Sequence, residues 1–260
     1  MEKITVLSPH RDDASFSLGL ALGLWSAASV RLQVLNFFTQ SAYAPHSPAT
    51  TVEEISATRE EEDREALAFI HNGITVTSLH LLDAPLRLHL PFSQITQESS
   101  AEKITPQELS SLSQCIQQHC AGSLPIAPLG LGNHVDHIAV HRAAVNSLPS
   151  QTLAFYEDLP YAIWTSPADL QARVESVERK TGVQLMPFVV QAQNAITRKR
   201  QIASFYRSQI TAEEADNIAR HAQSYDNGEL IWAPVTSQSW KVIRLLATES
   251  PQTATPGLSR

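Results

Sequence analysis

With 260 residues, 43% of them hydrophobic and 17% charged, the chain can bury the core of one large domain. A formal net charge of -7 without any clustered basic run argues against a nucleic-acid partner, since phosphate binding draws on grouped Lys and Arg. Two cysteines, Cys115 and Cys120, are too few for a disulfide framework and match no metal or redox spacing, so they read as small packed thiols.

Residues 4–7 form a short apolar strand at the very start, with no leader-like stretch ahead of it. A helix follows over residues 15–28. Its apolar run, Leu18 to Val30, is interrupted by Gly19, Gly23 and serines and is too short to span a bilayer. The expectation is a soluble, cytoplasmic protein with no membrane partner, acting on a small molecule, with a homo-oligomer left open. A second strand is predicted over 32–38. Residues 40–51, with two prolines among small polar residues, read as a loop and a candidate lid. A long helix rich in Glu and Arg spans 52–72, with Gly73 placed to cap its C-terminus.

A third strand covers 74–82, a helix 106–121 and a buried strand 124–128. A helix over 136–146, a strand over 153–156 and helices over 168–180 and 195–209 complete the pattern. Alternation of strand and helix predicts an α/β fold with a mostly parallel sheet and helices on both faces. No linker divides the chain, so residues 1–247 read as one domain. Residues 248–260, rich in Pro, Ser and Thr, read as a flexible tail.

Two polar clusters stand out, each where a strand gives way to a helix. That is where open α/β sheets bind ligands. The first is Ser8-Pro9-His10-Arg11-Asp12-Asp13-Ala14. A histidine and two carboxylates in one turn repel unless a cation gathers them. His10 and Asp13, three residues apart, offer donors that suit zinc, while Asp12 would remain free as a base. Helix capping is the competing account of either aspartate. The second cluster, Gly132-Asn133-His134-Val135-Asp136-His137, follows the strand at 124–128. His137 can face the first cluster, and His134 can enter the same pocket. Asp136 can fix the tautomer of one of these imidazoles, or serve only as a carboxylate at a helix N-terminus. His141 lies one turn beyond His137. With no Glu between the two it does not complete a zinc-binding helix motif, and it reads as a packed histidine.

Together Pro9-His10-Arg11-Asp12-Asp13 and His134-Val135-Asp136-His137 resemble the paired motifs of the PIG-L/LmbE-type deacetylases. Weaker similarity extends over Arg59, Glu62, Asp63 and Ala66, over Asp83-Ala84-Pro85, over Phe155 to Tyr161, and over Lys199 to Gln209. The resemblance implies a Rossmann-like fold and zinc-dependent removal of an N-acetyl group from an amino sugar or a related small N-acyl substrate. It implies one Zn2+ per chain, or another divalent ion, on His10, Asp13 and His137. It further implies Asp12 as general base, protonated His134 beside the oxyanion or leaving group, and Asp136 orienting His134.

Arg11 and Ala14 depart from the usual motif, in which a proline and an acidic residue stand. Arg11 is expected near the pocket mouth as a substrate contact. Arg59 and Asp83 are further candidates for substrate binding, against an Arg59–Glu62 surface pair and a turn role for Asp83. The helix before His134 also lacks an aromatic seen in some members. Two other readings share these residues: a non-catalytic metal- or sugar-binding protein on the same scaffold, and a metal-dependent phosphoesterase, which would require more bridging carboxylates than the chain supplies.

Overall fold

A computed structural model describes residues 2–248. Four parallel strands come first in the chain: β1 (Lys3–Ser8), β2 (Arg31–Asn36), β3 (Thr75–Ser78) and β4 (Leu124–Pro128). β5 (Ala154–Tyr156) adds to the same sheet, followed by β6 (Leu185–Gln191) and β7 (Gly228–Pro234). Their order is β3-β2-β1-β4-β5-β7-β6. Pairing is parallel from β3 through β5 and antiparallel for β5–β7 and β7–β6. β1 and β4 are therefore central neighbours, and their C-terminal ends lie side by side.

The central strands β1 and β4 are buried on both sides, as a parallel sheet covered on both faces requires, while the edge strand β3 is largely exposed. Ile4, Val6, Val34, Ile126 and Tyr156 join one core cluster with Leu18, Leu22 and Trp25 of α1 (Asp13–Ala27). Their chain neighbours Leu7, Leu35, Ala127 and Phe155 join the other. That second cluster includes residues of α4 (Pro106–Cys120), α5 (Val135–Ser147) and α6 (Pro167–Thr181). Each fully buried side chain of this size contributes about 1.5–3 kcal/mol of hydrophobic burial. At Gly19, an added Cβ would lie 2.9 Å from the side-chain tip of Ile202 in α7 (Ala195–Ala203), so α1 and α7 pack closely there and a larger residue would require Ile202 to shift.

Several elements depart from the sequence expectation. α2 (Val52–Ile70) ends two residues early, with His71 extended as its cap. Gly73 does not take a left-handed conformation and is not the cap. Helix α2 begins with a Thr51/Glu54 capping box, a signal already present in the sequence. The third strand is only four residues long, followed by a single bridge between Gln40 and Leu82. The expected helix over 195–209 stops at Ala203, and Tyr206-Arg207-Ser208-Gln209 continues as turn. β6, β7, α8 (Ala212–His221) and α9 (Gln238–Thr248) were not anticipated. The expected tail lies outside the described residues from position 249 onward. No described helix is long and apolar enough to cross a membrane.

Candidate metal and catalytic site

β1 delivers its last residue, Ser8, to a tight turn. The Ser8 hydroxyl donates to the His10 carbonyl (2.6 Å) and accepts from the Ala14 amide (3.1 Å). The His10 amide donates to Asp13 Oδ2 at 2.7 Å. Asp12 occupies the position before α1 but its side chain makes no capping hydrogen bond, so the capping account fails there. β4 delivers its end to the second turn, where Gly130 and Gly132 both have positive φ. At Gly132 a Cβ would lie 2.4 Å from the Tyr161 ring, so glycine is required for the ring to pack there.

The two turns meet. His10 Nδ1 lies 3.5 Å and His137 Nε2 3.4 Å from Asp13 Oδ2. All three donor atoms fall within 4.8 Å of one another. The side chains of His137 and Asp13 are 1% and 5% exposed and that of His10 is 12% exposed, so little water reaches the donors. Two imidazole nitrogens and one carboxylate oxygen form a donor set suited to zinc or a similar divalent ion.

The electrostatics fit a cation. Burial alone would lower the His10 pKa, but hydrogen bonds and charges from Asp13 and Asp136 raise it to about 10. Burial likewise opposes the charged form of His137, yet Asp13 and Asp158 raise it. Asp13 is lowered against its burial by His137 and His10. Without a metal, the cluster attracts protons to the place where a cation would sit.

A carboxylate stands behind each histidine. Asp136 Oδ2 is 3.0 Å from His10 Nε2, and Asp158 Oδ1 is 2.7 Å from His137 Nδ1. Such contacts leave the opposite ring nitrogen free to bind metal and increase its basicity. Asp136 is itself held by the Ala84 amide (2.9 Å) and by Arg87 Nη2 (2.8 Å). Arg87 also forms an ion pair with Glu108 at 2.8 Å and lies 4.4 Å from the Phe38 ring centre. Asp158 Oδ2 accepts from the amides of Gly130 (2.8 Å) and Leu131 (3.0 Å). A second metal-capable trio, His10, His134 and Asp136, shares His10. It is the weaker cradle, because Asp136 is already committed to Ala84 and Arg87.

The expected orientation of His134 by the Asp136 carboxylate is not what the structure contains. That carboxylate faces His10, and only the Asp136 backbone amide reaches His134, donating to Nδ1 at 3.2 Å. His134 sits at the N-cap of α5, where its ring nitrogen satisfies an otherwise unpaired amide. With Nδ1 accepting, a neutral His134 carries its proton on Nε2. Burial and the charge of His10 push its pKa well below the usual value. Both effects act against the protonated His134 expected from the resemblance.

His10, Asp12, Asp13, His134 and His137 line a cavity of about 270 Å3, together with Arg59 and Asp83. Arg59 Nη2 lies 3.6 Å from Asp12, and its Nη1 donates to Ser41 Oγ at 3.0 Å. Arg59 does not pair with Glu62. Glu62 instead accepts from the Ser208 amide (2.8 Å) and hydroxyl (2.7 Å). Asp83 lines the cavity and accepts from the Leu86 amide at 3.3 Å, which bears out its local turn role.

Arg11 is a correction. It is 3% exposed, does not line the cavity, and points away to Glu60 (2.8 Å) and Ser78 (3.2 Å). Next to His10 in the tight turn, the Arg11 side chain leaves on the opposite side of the loop. Arg11 therefore joins α2 and β3 rather than a ligand. The expected loop over residues 40–51 is tied down at Tyr43, whose carbonyl accepts from Gln209 (3.1 Å) and Arg59 (3.4 Å). His141 is a packed histidine, its Nδ1 2.9 Å from the Pro128 carbonyl.

Sequence reasoning missed Arg87, Asp158 and Tyr161. The latter two lie in the Phe155–Tyr161 segment whose resemblance had already been noted, so a signal was present without a role. Tyr161 supplies the aromatic that the helix before His134 lacks, its ring centre 6.1 Å from that of His134 and 5.4 Å from that of His137. The Arg59–Ala66 and Lys199–Gln209 echoes also meet. The Tyr206 hydroxyl donates to Asp63 (2.8 Å) and lies 2.8 Å from Ser15 Oγ, which ties α2 and the turn after α7 to α1.

The chain is 28% identical over 225 residues to a 2'-N-acetylparomamine deacetylase of Streptomyces fradiae, covering 84% of this chain and 77% of the relative. Its fold resembles that of a teicoplanin deacetylase solved in a zinc-inhibited form, with a TM-score of 0.65 and 21% identity, over 88% of this chain and 97% of the other. A deacetylase of the A40926 pseudoaglycone shares the fold at a TM-score of 0.58 and 24% identity, over 89% and 96% of the two chains. Residues 5–148, which carry both turns, match the family described as PIG-L, GlcNAc-PI de-N-acetylase, and the chain belongs to that family.

Proposed function

We infer that the protein is a metal-dependent N-deacetylase, hydrolysing the acetamide of an amino sugar or a related small N-acyl compound to acetate and a free amine. The observation that carries this reading is the convergence of His10 Nδ1, Asp13 Oδ2 and His137 Nε2 in a cavity that also presents Asp12 and His134. The similarity to the Streptomyces fradiae enzyme, an acetylated amino-sugar deacetylase by name, supports the substrate class.

A divalent ion, most simply one Zn2+, held by His10, Asp13 and His137 would supply Lewis-acid polarisation of the carbonyl and a water of lowered pKa. The remaining chemistry falls to the chain. Asp12, facing the cavity and held near Arg59, accepts the proton of the attacking water. The N–H of His134 Nε2 donates to the carbonyl oxygen as negative charge develops on it. The C–N bond then breaks, and the proton carried by Asp12 passes to the departing nitrogen, so that atoms and charge balance. Asp136 and Asp158 touch no substrate in this scheme and hold the two metal-facing rings.

Asp12→Asn keeps the donor trio and removes the base. It is expected to retain metal while turnover falls by about 10²–10⁴. Amine release from N-acetylated glycosides, followed with metal content, tests this, and near-normal turnover at full metal occupancy would reject Asp12 as base. The same assay with a chelator and with a generic phosphate ester separates the alternatives. Phosphate release would favour the phosphoesterase, and metal binding without release of either product would favour a binding protein.

A further inference from the structure

The charges around the cavity are one-sided. With His10 and His137 neutral on a bound ion, Asp12, Asp13, Asp83 and Glu214 line it against one cationic side chain, Arg59. A divalent ion on the histidine-aspartate cluster still leaves the lining net negative. Arg11, the other guanidinium near this turn, is spent on Glu60 on the far side and lends no charge to the opening. Arg59 is committed to Asp12 and Ser41. Asp83 and Glu214 have no basic side chain within salt-bridge distance among the described residues. An anionic substrate entering here would meet carboxylates with no free cation to receive it.

The apolar part of the mouth is also specific. Tyr43 and Phe92, 39% and 42% exposed, lie with ring centres 4.7 Å apart and both line the cavity. Tyr43 stands within the field of Glu214 and Asp12 as well as Arg59. Its backbone carbonyl accepts from Arg59 and Gln209, which holds the base of the side chain at the cavity wall. An aromatic surface beside carboxylates suits the flat C–H face of a sugar that carries a protonated amine, by stacking and by cation–π attraction.

We propose that this site selects N-acetylated sugars that carry at least one further, free and protonated amine, with Glu214 and Asp83 as the discriminating charges and Tyr43 and Phe92 as the stacking surface. The proposal rests on the deacetylase reading above and narrows its substrate class. It predicts rejection of sugar phosphates and acidic sugars.

The test uses the metal-loaded protein and three substrates: a neutral N-acetylglucosamine methyl glycoside, N-acetylglucosamine 6-phosphate, and a mono-N-acetylated aminoglycoside fragment with a free amine. The expected order of kcat/KM is cationic, then neutral, then anionic, with at least tenfold between the ends. Raising the salt to about 0.5 M should narrow the gap through KM, as screening of exposed charges requires. Glu214→Gln, which removes an exposed charge, should lower the ratio of cationic to neutral kcat/KM by about two- to fivefold, and Asp83→Asn, which removes a buried one, by at least as much. Tyr43→Ala should raise KM for the cationic and neutral sugars alike. Equal or better turnover of the phosphate, or a cationic-to-neutral ratio untouched by both charge variants, overturns the proposal. If no substrate yields amine, the deacetylase reading has failed on its own. Calorimetry with the same three intact sugars then decides the selectivity, with tighter binding of the cationic sugar upholding it and equal or reversed binding overturning it.

Discussion

The two histidines that face the proposed metal position are backed in the same way and anchored differently. His10 leans on Asp136, and Asp136 is held by one side chain, Arg87, and by one amide. His137 leans on Asp158, which is fixed by two successive backbone amides in the Gly130–Leu131 turn. The first arrangement depends on a guanidinium that must itself be positioned by Glu108 and Phe38. The second is built into the main chain and survives any side-chain change outside Asp158. Equal chemistry at the metal can thus rest on unequal supports, and the side-chain support is the more fragile one to alter by mutation.

The largest effect should come from the backbone-anchored side. Asp158→Ala removes the partner of His137 and leaves two buried amides unsatisfied. A loss of about 10–100-fold in zinc affinity is expected, with a clear fall in Tm of the metal-free protein. Competition with a chromophoric chelator and thermal melts measure the two, and unchanged values for both would show that Asp158 supports nothing. Arg87→Met should be milder. It keeps packing against Phe38 while freeing Asp136, which retains the Ala84 amide, so zinc affinity should fall by no more than about tenfold. An effect of Arg87→Met as large as that of Asp158→Ala would show that the Ala84 amide alone does not hold Asp136 in place.

His141 supplies the third case, an imidazole one turn further along α5 with a carbonyl in place of a carboxylate behind it. Burial, reinforced by Arg173, lowers its pKa from 6.5 to about 3. Between those values the unfolded chain binds more protons than the folded one, so stability is full above about pH 6.5 and is lost as pH falls toward about 3. The loss from this one residue is on the order of 2–4 kcal/mol. His141→Gln keeps a donor for the Pro128 carbonyl and should flatten the decline of Tm over that range. A wild-type-like acid decline in the variant would remove His141 as its source.

Much of the site was legible in the chain. His10, Asp12 and Asp13 stand within four residues, and His134 with His137 within four more, so short-range geometry limits where each can point. Strand alternation gave the parallel sheet, because period and turn chemistry are local. The antiparallel strands β6 and β7 were not legible. β6 mixes buried and exposed residues without clean alternation, and β7 is buried throughout and carries Glu229 inside it. That glutamate accepts from Lys199 (2.7 Å) and from the amides of Leu20 and Ala21 in α1, a pairing across more than two hundred residues that no local pattern encodes.

The sequence by itself determined which side chains could hold a cation and which end of the sheet would bear them, since strand-to-helix turns in an α/β chain gather at one edge. Tertiary structure alone decided how those side chains are supported and oriented. It turned Arg11 out of the cavity, set Asp136 behind His10 in place of His134, and brought Asp158 and Arg87 from distant segments. Donor identity is a property of residues and short spacings. Hydrogen-bond partnership at about 3 Å depends on how strands β1, β4 and β5 stack side by side, which only the assembled sheet fixes.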